Sequence, residues 1–270
     1  MQHRNQTPPQ ILCLSGHDPS GGAGLQADIE SVNALGGHAL TVPTCLTTQN
    51  TLGVDQLHPL RGTQIQTMLQ CLLKDIRPHA IKIGLLTDPQ QVKTTGLALN
   101  DSRLRNLPLV IDPVMRAGSG DALVTQDLLE SHACALRQQL IPKCTLLTPN
   151  QAELAALVPE ANDPDEQASR LLHEGCRAVL VTGTDDTDPD NAVTNVLYQA
   201  SHRTSYDWPR LPARYHGSGC TLASACAVLL AADAMCIKDA ARRAQQYTWK
   251  WLAAGYQPGR GQHLPYRYRP

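Results

Sequence analysis

The 270-residue chain carries very little net charge: 23 Lys and Arg against 24 Asp and Glu leave a formal −1. That balance offers no sustained attraction to nucleic acid or anionic lipid, so a small, locally captured ligand fits better. No apolar run is long enough to span a bilayer. The opening MQHRNQTPPQ has no apolar core of the kind a secretory signal needs, and residues 1–10 are expected to form a flexible N-terminal arm. The nine cysteines include no CxxC pair and mostly lie in apolar segments, which reads as reduced core thiols of a cytoplasmic protein. A Walker A loop, HExxH, a GxSxG elbow and paired zinc-ligand spacing are also missing, which removes several common enzyme classes. No internal repeat, low-complexity tract or composition shift marks a linker, so residues 11–270 are expected to form one domain.

What the chain does have is alternation. Short apolar or β-branched runs at Ile11–Ser15, Thr41–Leu46, Ala80–Gly84, Leu109–Asp112, Thr145–Thr148 and Ala178–Val181 are flanked by turn residues and predict strands. Helix-period segments separate them: a face of Leu25, Ile29 and Val32, then Thr63–Lys74, Pro89–Asn100, Gln126–Leu140 and Asp163–Glu174. Such an order implies a parallel sheet covered on both faces. Asn195–Tyr198 and Thr204–Asp207 have no helix between them and predict a hairpin on the far edge; Thr184–Asn191 before it reads as a mobile acidic loop. Two helices, Thr221–Ala232 and Lys238–Ala254, close the pattern.

Five segments have the residue types and positions for chemistry. SGHDPSGGAG, Ser15–Gly24, follows a strand and opens a helix, so its glycines let backbone approach a ligand at the helix's positive end. Gly22, Gly24 and Ala27 also satisfy a loose dinucleotide pattern, yet the next strand ends without the acidic residue that holds a ribose; a tight turn with no ligand is the third reading. HGSGCT, His216–Thr221, precedes the apolar helix LASACAVLLAA, whose buried N-terminus and flanking glycines would gather N–H groups into an anion hole. Cys220 sits in the first turn, where the dipole favours thiolate; the alternative is one more buried thiol. DPVMRAGSGD places Asp112 at a strand's carboxyl end, where open parallel sheets bind ligands and where it would attract magnesium. TPNQAE offers Asn150 and Glu153 at another strand end, although on local grounds a first-turn acid that complements a dipole is the more common reading of Glu153. In TTQNT, Gln49 is the amide suited to read a ring nitrogen and an amino group.

Together SGHDPSGGAGLQAD, TTQNT, KIGLL, DPVMRAGSGD, LLTPNQAE and HGSGCT resemble, in order and interval, the hydroxymethylpyrimidine and phosphomethylpyrimidine kinases of the ribokinase-like superfamily, from Ile11 to about Ala232. The resemblance implies a three-layer α/β/α sandwich with a mostly parallel central sheet and an edge hairpin. It implies transfer of a phosphoryl group from ATP–Mg²⁺ to 4-amino-5-hydroxymethyl-2-methylpyrimidine and then to its monophosphate, in thiamine diphosphate biosynthesis. By the same resemblance the pyrimidine lies beside Gly16, Asp18 and Gln49, while Gly217, Ser218, Gly219 and Cys220 form the anion hole and catalytic group. The nucleotide falls to Asn150, Thr182 and Gly183, and magnesium to Asp112 and Glu153. Cysteine at position 220, where most of the superfamily has aspartate, points to the pyrimidine kinases and away from pyridoxal and sugar kinases. Family members usually read AKSGD where this chain has AGSGD, and KGG where it has Val181-Thr182-Gly183; Arg116 is the nearest substitute for the first lysine. Those two losses motivate the alternative of a pyrimidine-phosphate sensor without turnover. A homodimer is expected, and the closing GRGQHLPYRYRP reads as a surface tail.

Overall fold

A computed structural model describes residues 7–183, 192–232 and 235–267. The Thr184–Asn191 loop and residues 1–6 of the expected arm lie outside the described residues. Nine strands form one sheet in the order β3-β2-β1-β4-β5-β6-β7-β8-β9, where β1 is Gln10–His17, β2 His38–Gln49, β3 Val54–Pro59, β4 Ala80–Ile83, β5 Leu109–Ile111, β6 Leu146–Leu147, β7 Ala178–Val181, β8 Val193–Gln199 and β9 His202–Trp208. Pairings from β2 through β7 are parallel; β3 runs antiparallel to β2, and the β8–β9 hairpin runs antiparallel beyond β7. The arm ends earlier than expected, because Gln10 pairs with His38 and its N–H donates to His79 Nδ1 at 3.0 Å.

Strand side chains alternate between two cores, as the period of two requires. Leu12, Leu14, Ile81, Ile83, Ile111, Val179 and Val181 face a cluster closed by helices α2 (Gly62–Asp75), α3 (Pro89–Ala98), α4 (Leu129–Gln139), α5 (Gln151–Leu157) and α6 (Pro164–His173). Ile11, Cys13, Ala80, Val110, Ala178 and Leu180 face the other, closed by α1 (Gly24–Ala34), α7 (Ser218–Ala231) and α8 (Ile237–Ala253). Burial on both faces is why these strands read as continuous apolar runs. The result is the three-layer sandwich with a far-edge hairpin that the sequence predicts. Because the chain leaves β1 toward β2 and later returns to pair β4 on the other side of β1, the carboxyl ends of β1 and β4 flank a switch point, where such sheets hold ligands.

One buried group ties this packing to pH. His132 in α4 is 1% exposed, and its Nδ1 has no partner among the described residues. Burial lowers its pKa to about 4, against a weaker opposing pull from Asp88. The fold therefore holds a neutral imidazole, and the unfolded chain binds the extra proton once pH falls below about 6.5. Stability from this group is complete above that value and is lost progressively toward pH 4. Urea unfolding should show the wild type losing about 2 kcal/mol more than His132→Phe between pH 7 and pH 5. Parallel losses in the two proteins would refute this account.

Candidate active site

Five strand ends converge on the carboxyl edge. After β1 the chain turns through residues 18–23 into α1, and Asp18 organises that turn: Oδ1 accepts from the Ser20 N–H and Oδ2 from the Ala23 N–H, each at 2.8 Å. Gly16 is buried against Cys45, where a Cβ would stand 2.8 Å from Sγ, so only glycine lets the backbone lie this close. At the end of β2, Gln49 reaches His216, whose Nε2 also lies 2.8 Å from Asp18 Oδ2. Burial raises the Asp18 pKa, but His216, Ser20 and Ala23 outweigh it and hold the group ionised below its usual range. A carboxylate only accepts, so His216 Nε2 carries the proton; the Gln49 amide then fits with its oxygen toward that N–H and its NH₂ toward the crevice. Two of the expected pyrimidine-binding residues, Asp18 and Gln49, are thus joined by a histidine to which the sequence reading gave no role.

On the other wall, α7 starts at Gly217, whose φ of 78° is left-handed. A side chain there would also strike the Gly22 carbonyl, and a Cβ on Gly22 would strike His216, so the two glycine loops touch backbone to backbone. Thr221 is the first residue of α7 to bond back, its N–H donating to Gly217 O at 3.0 Å. The N–H groups of Ser218, Gly219 and Cys220 precede it and have no acceptor within the helix, which is the anion-binding end of a helix whose body is almost wholly buried. Gly219 is exposed toward the crevice and stands over the Asp112 carboxyl.

Cys220 departs from expectation in its ionisation. Solvent reaches part of the residue, yet the protein around the sulfur pushes the thiol up to about 12, with Asp112 and Asp28 adding to the rise. The Lys82 ammonium and the Gly24 N–H at the start of α1 pull the other way without prevailing. The resting group is therefore a thiol, not the thiolate that a helix N-terminus alone would favour. It donates toward Asp112, whose carboxyl is held above the usual range by burial against the pull of Lys82.

Beneath them lies a cluster that the sequence reading missed. Lys82 Nζ donates to Asp28 Oδ1 at 2.8 Å and to Ser15 Oγ at 2.9 Å, and Ser224 Oγ donates to the same Asp28 oxygen at 2.7 Å. Both charged side chains are fully buried. Burial disfavours the ammonium, but Asp28 outweighs it, with Asp112 adding to the pull, and Lys82 stays charged. The available signal was Asp28 itself, a charge on the apolar face of α1 between Leu25 and Val32.

Asn150 and Glu153 begin α5 as a capping box: Asn150 Oδ1 accepts from the Glu153 N–H at 2.7 Å, and Glu153 Oε2 accepts from the Asn150 N–H at 3.0 Å. Thr182 bridges Asn150 beyond β7, and the Gly183 N–H donates to Asn195 Oδ1 at 3.0 Å. These residues do meet at one edge, but Glu153 and Gly183 already hold local partners. Arg116 is exposed and donates to Gly120 O at 3.2 Å, inside its own turn. Among the described residues no group of three His, Cys, Asp or Glu could cage a metal. Asp112 Oδ2 is nonetheless buried with no hydrogen-bond partner, and a hard oxygen donor in that state fits a magnesium ion held mainly by water and nucleotide phosphates.

Comparison with solved structures gives the class. Bacillus subtilis pyridoxal kinase, determined as an ADP complex, is similar over 96% of this chain and 97% of that one, with a TM-score of 0.82 and 25% identity. The phosphomethylpyrimidine kinase of Clostridium difficile 630 is similar over 90% and 98%, with a TM-score of 0.74 and 28% identity. With its crevice at the switch point, the molecule is a ribokinase-like small-molecule kinase. Residues 18–267 match the family model described as phosphomethylpyrimidine kinase. Hydroxymethylpyrimidine/phosphomethylpyrimidine kinases are similar at 37% identity in Mycobacterium tuberculosis H37Rv, covering 94% of this chain and 92% of that one, and at 36% in Escherichia coli K12, covering 81% of each. The chain belongs to the phosphomethylpyrimidine kinase family.

Proposed function

We propose that this chain phosphorylates 4-amino-5-hydroxymethyl-2-methylpyrimidine with ATP and then phosphorylates the monophosphate to the diphosphate. The observation that carries the reading is the N-terminal turn of α7, whose first N–H groups have no acceptor within the helix, directly following the Gln49–His216–Asp18 cluster and packed on its glycine loop. The Gln49 NH₂ donates to a ring nitrogen and fixes the pyrimidine by its edge. The N–H groups of Gly217 to Cys220 hold the equatorial oxygens of the phosphoryl group in line with the hydroxymethyl oxygen. In a loose transition state the hydroxyl proton leaves late, so a strong base is not needed. Cys220 Sγ holds the hydroxyl by a hydrogen bond until its proton passes to the transferred phosphoryl oxygens, which accounts for a thiol doing this work without a lowered pKa.

Asp112, with Asn150 and Glu153 at the neighbouring strand end, would hold magnesium and the nucleotide phosphates. When bound, that ion neutralises charge developing between the β- and γ-phosphates. Thr182 and Gly183 border the nucleotide through backbone positions. A single kinase domain, a cytoplasmic setting and a homodimer belong to the same proposal. The nine free cysteines suit a reducing compartment, and light scattering at twice the chain mass checks the dimer.

Mass analysis of products tests the activity. With ATP–Mg²⁺, the alcohol should yield monophosphate and then diphosphate, and supplied monophosphate should yield diphosphate. Saturable binding of either substrate with no product would reject the kinase and leave the sensor. A second reading, pyridoxal phosphorylation, is favoured by the similarity to the Bacillus subtilis pyridoxal kinase. Parallel assays with pyridoxal decide it, a higher kcat/KM for pyridoxal reversing the substrate assignment.

A further inference from the structure

The described part of the closing GRGQHLPYRYRP, residues 259–267, is not the surface tail its composition suggests, because Leu264, Pro265 and Arg267 are buried. Tyr256 and Leu264 exchange backbone hydrogen bonds at 3.0 and 2.8 Å, which turns the chain back on itself. From there it sews three loops of the crevice together. The Gln262 N–H donates to Thr51 O at 2.9 Å, Gln262 Nε2 donates to Gly118 O at 3.1 Å, and the His216 N–H donates to His263 O at 2.9 Å. Leu264, 4% exposed, packs on Gly22.

This path delivers Arg267 to the interior, where it is 1% exposed. Nε donates to Thr221 Oγ1 at 2.8 Å, Nη1 to Glu30 Oε2 at 3.2 Å, and Nη2 to Gly22 O at 2.5 Å with a weaker contact to Gly217 O at 3.5 Å. One guanidinium thus grips α1, the first glycine loop and the opening turn of α7, joining groups that lie 245 and 46 residues away in sequence. A buried cation is costly unless its donors are satisfied, and a planar fork meets three acceptor directions that an ammonium cannot span at once.

We propose that Arg267 is a positioning residue for phosphoryl transfer. It holds the Gly22 carbonyl against Gly217, and so fixes the direction in which the N–H groups of Ser218, Gly219 and Cys220 point. The inference rests on reading that turn as the anion hole. Arg267 touches no substrate and acts through the loops it clamps.

Arg267→Lys and Arg267→Met, assayed for kcat and KM alongside thermal unfolding, test this. Arg267→Lys keeps a charge beside Glu30 and should stay folded, while kcat falls about 100-fold, the scale of a misplaced catalytic group. KM for the pyrimidine should stay within about threefold, because Gln49 and Asp18 are not held by Arg267. Arg267→Met should lose at least as much kcat; if it does not fold, the lysine variant decides alone. Wild-type kcat in the folded variants, with only a lower melting temperature, would overturn the positioning role while leaving the kinase assignment intact. Absence of product from the wild type would overturn both.

Discussion

Cys220→Ala is expected to lower kcat by about 1000-fold, within the range a group positioned on the transferring proton contributes, while the protein stays folded and binds the pyrimidine normally. The residue lies in the first turn of α7, between the Gly24 N–H, Asp112 and the field of Lys82. Those groups make it the acceptor nearest the anion hole, and removing one sulfur leaves no cavity in either core cluster. Its protonation state gives an independent check. A thiol pushed up to about 12 should react slowly with iodoacetamide at pH 8, after the exposed Cys71, Cys134 and Cys236. Mass mapping that found Cys220 alkylated first would restore the thiolate expected from the helix dipole alone. Unchanged kcat in Cys220→Ala would move the chemistry elsewhere in the turn.

The fold was legible wherever burial is two-sided. Ile11–Ser15 and Ala178–Val181 stand out as apolar runs because alternate residues enter different cores. Strand β3 gave no such signal: VDQLHP lies at the sheet edge, largely exposed, and ends in proline. Helix α5 has only seven residues, too few to show a helical period; Glu153 was weighed as a first-turn acid, but its reciprocal capping with Asn150 was not read. The candidate site was legible at the strand ends, where Asp18, Gln49 and Asp112 sit, and at the glycine-rich start of α7, which carries Cys220. His216 and Lys82 lay inside quoted motifs, but their partners are distant in sequence, 198 residues for Asp18 with His216 and 54 for Asp28 with Lys82. Arg267 had no local signal, since nothing in RYR distinguishes an interior guanidinium from a surface one. Helix dipole reasoning failed at Cys220 for a related cause: the desolvation that reverses it comes from residues brought in by the fold.

Lys82→Met is expected to destabilise the fold by about 3–5 kcal/mol, the penalty for leaving one charge of a buried pair alone, which for a chain of this size lowers the melting temperature by about 10 °C. Among the described residues Asp28 would keep only Ser224 as a donor in a buried site, and its Oδ2 already lacks a partner there. Replacing both members should recover most of the loss, because Lys82→Met with Asp28→Leu puts apolar volume where two charges stood. A pair so readily replaced for stability needs another reason to be present, and its position supplies one. Lys82 pulls down both Cys220 and Asp112, the thiol proposed to hold the substrate hydroxyl and the carboxylate proposed to hold magnesium. The double variant should therefore be folded and slow, with kcat reduced by about tenfold or more and iodoacetamide labelling of Cys220 slower still. Thermal unfolding with steady-state kinetics on the three proteins separates the two roles. A double variant with wild-type kcat would reduce the Lys82–Asp28 pair to a purely structural one, and a stable Lys82→Met would mean that water or another donor reaches Asp28.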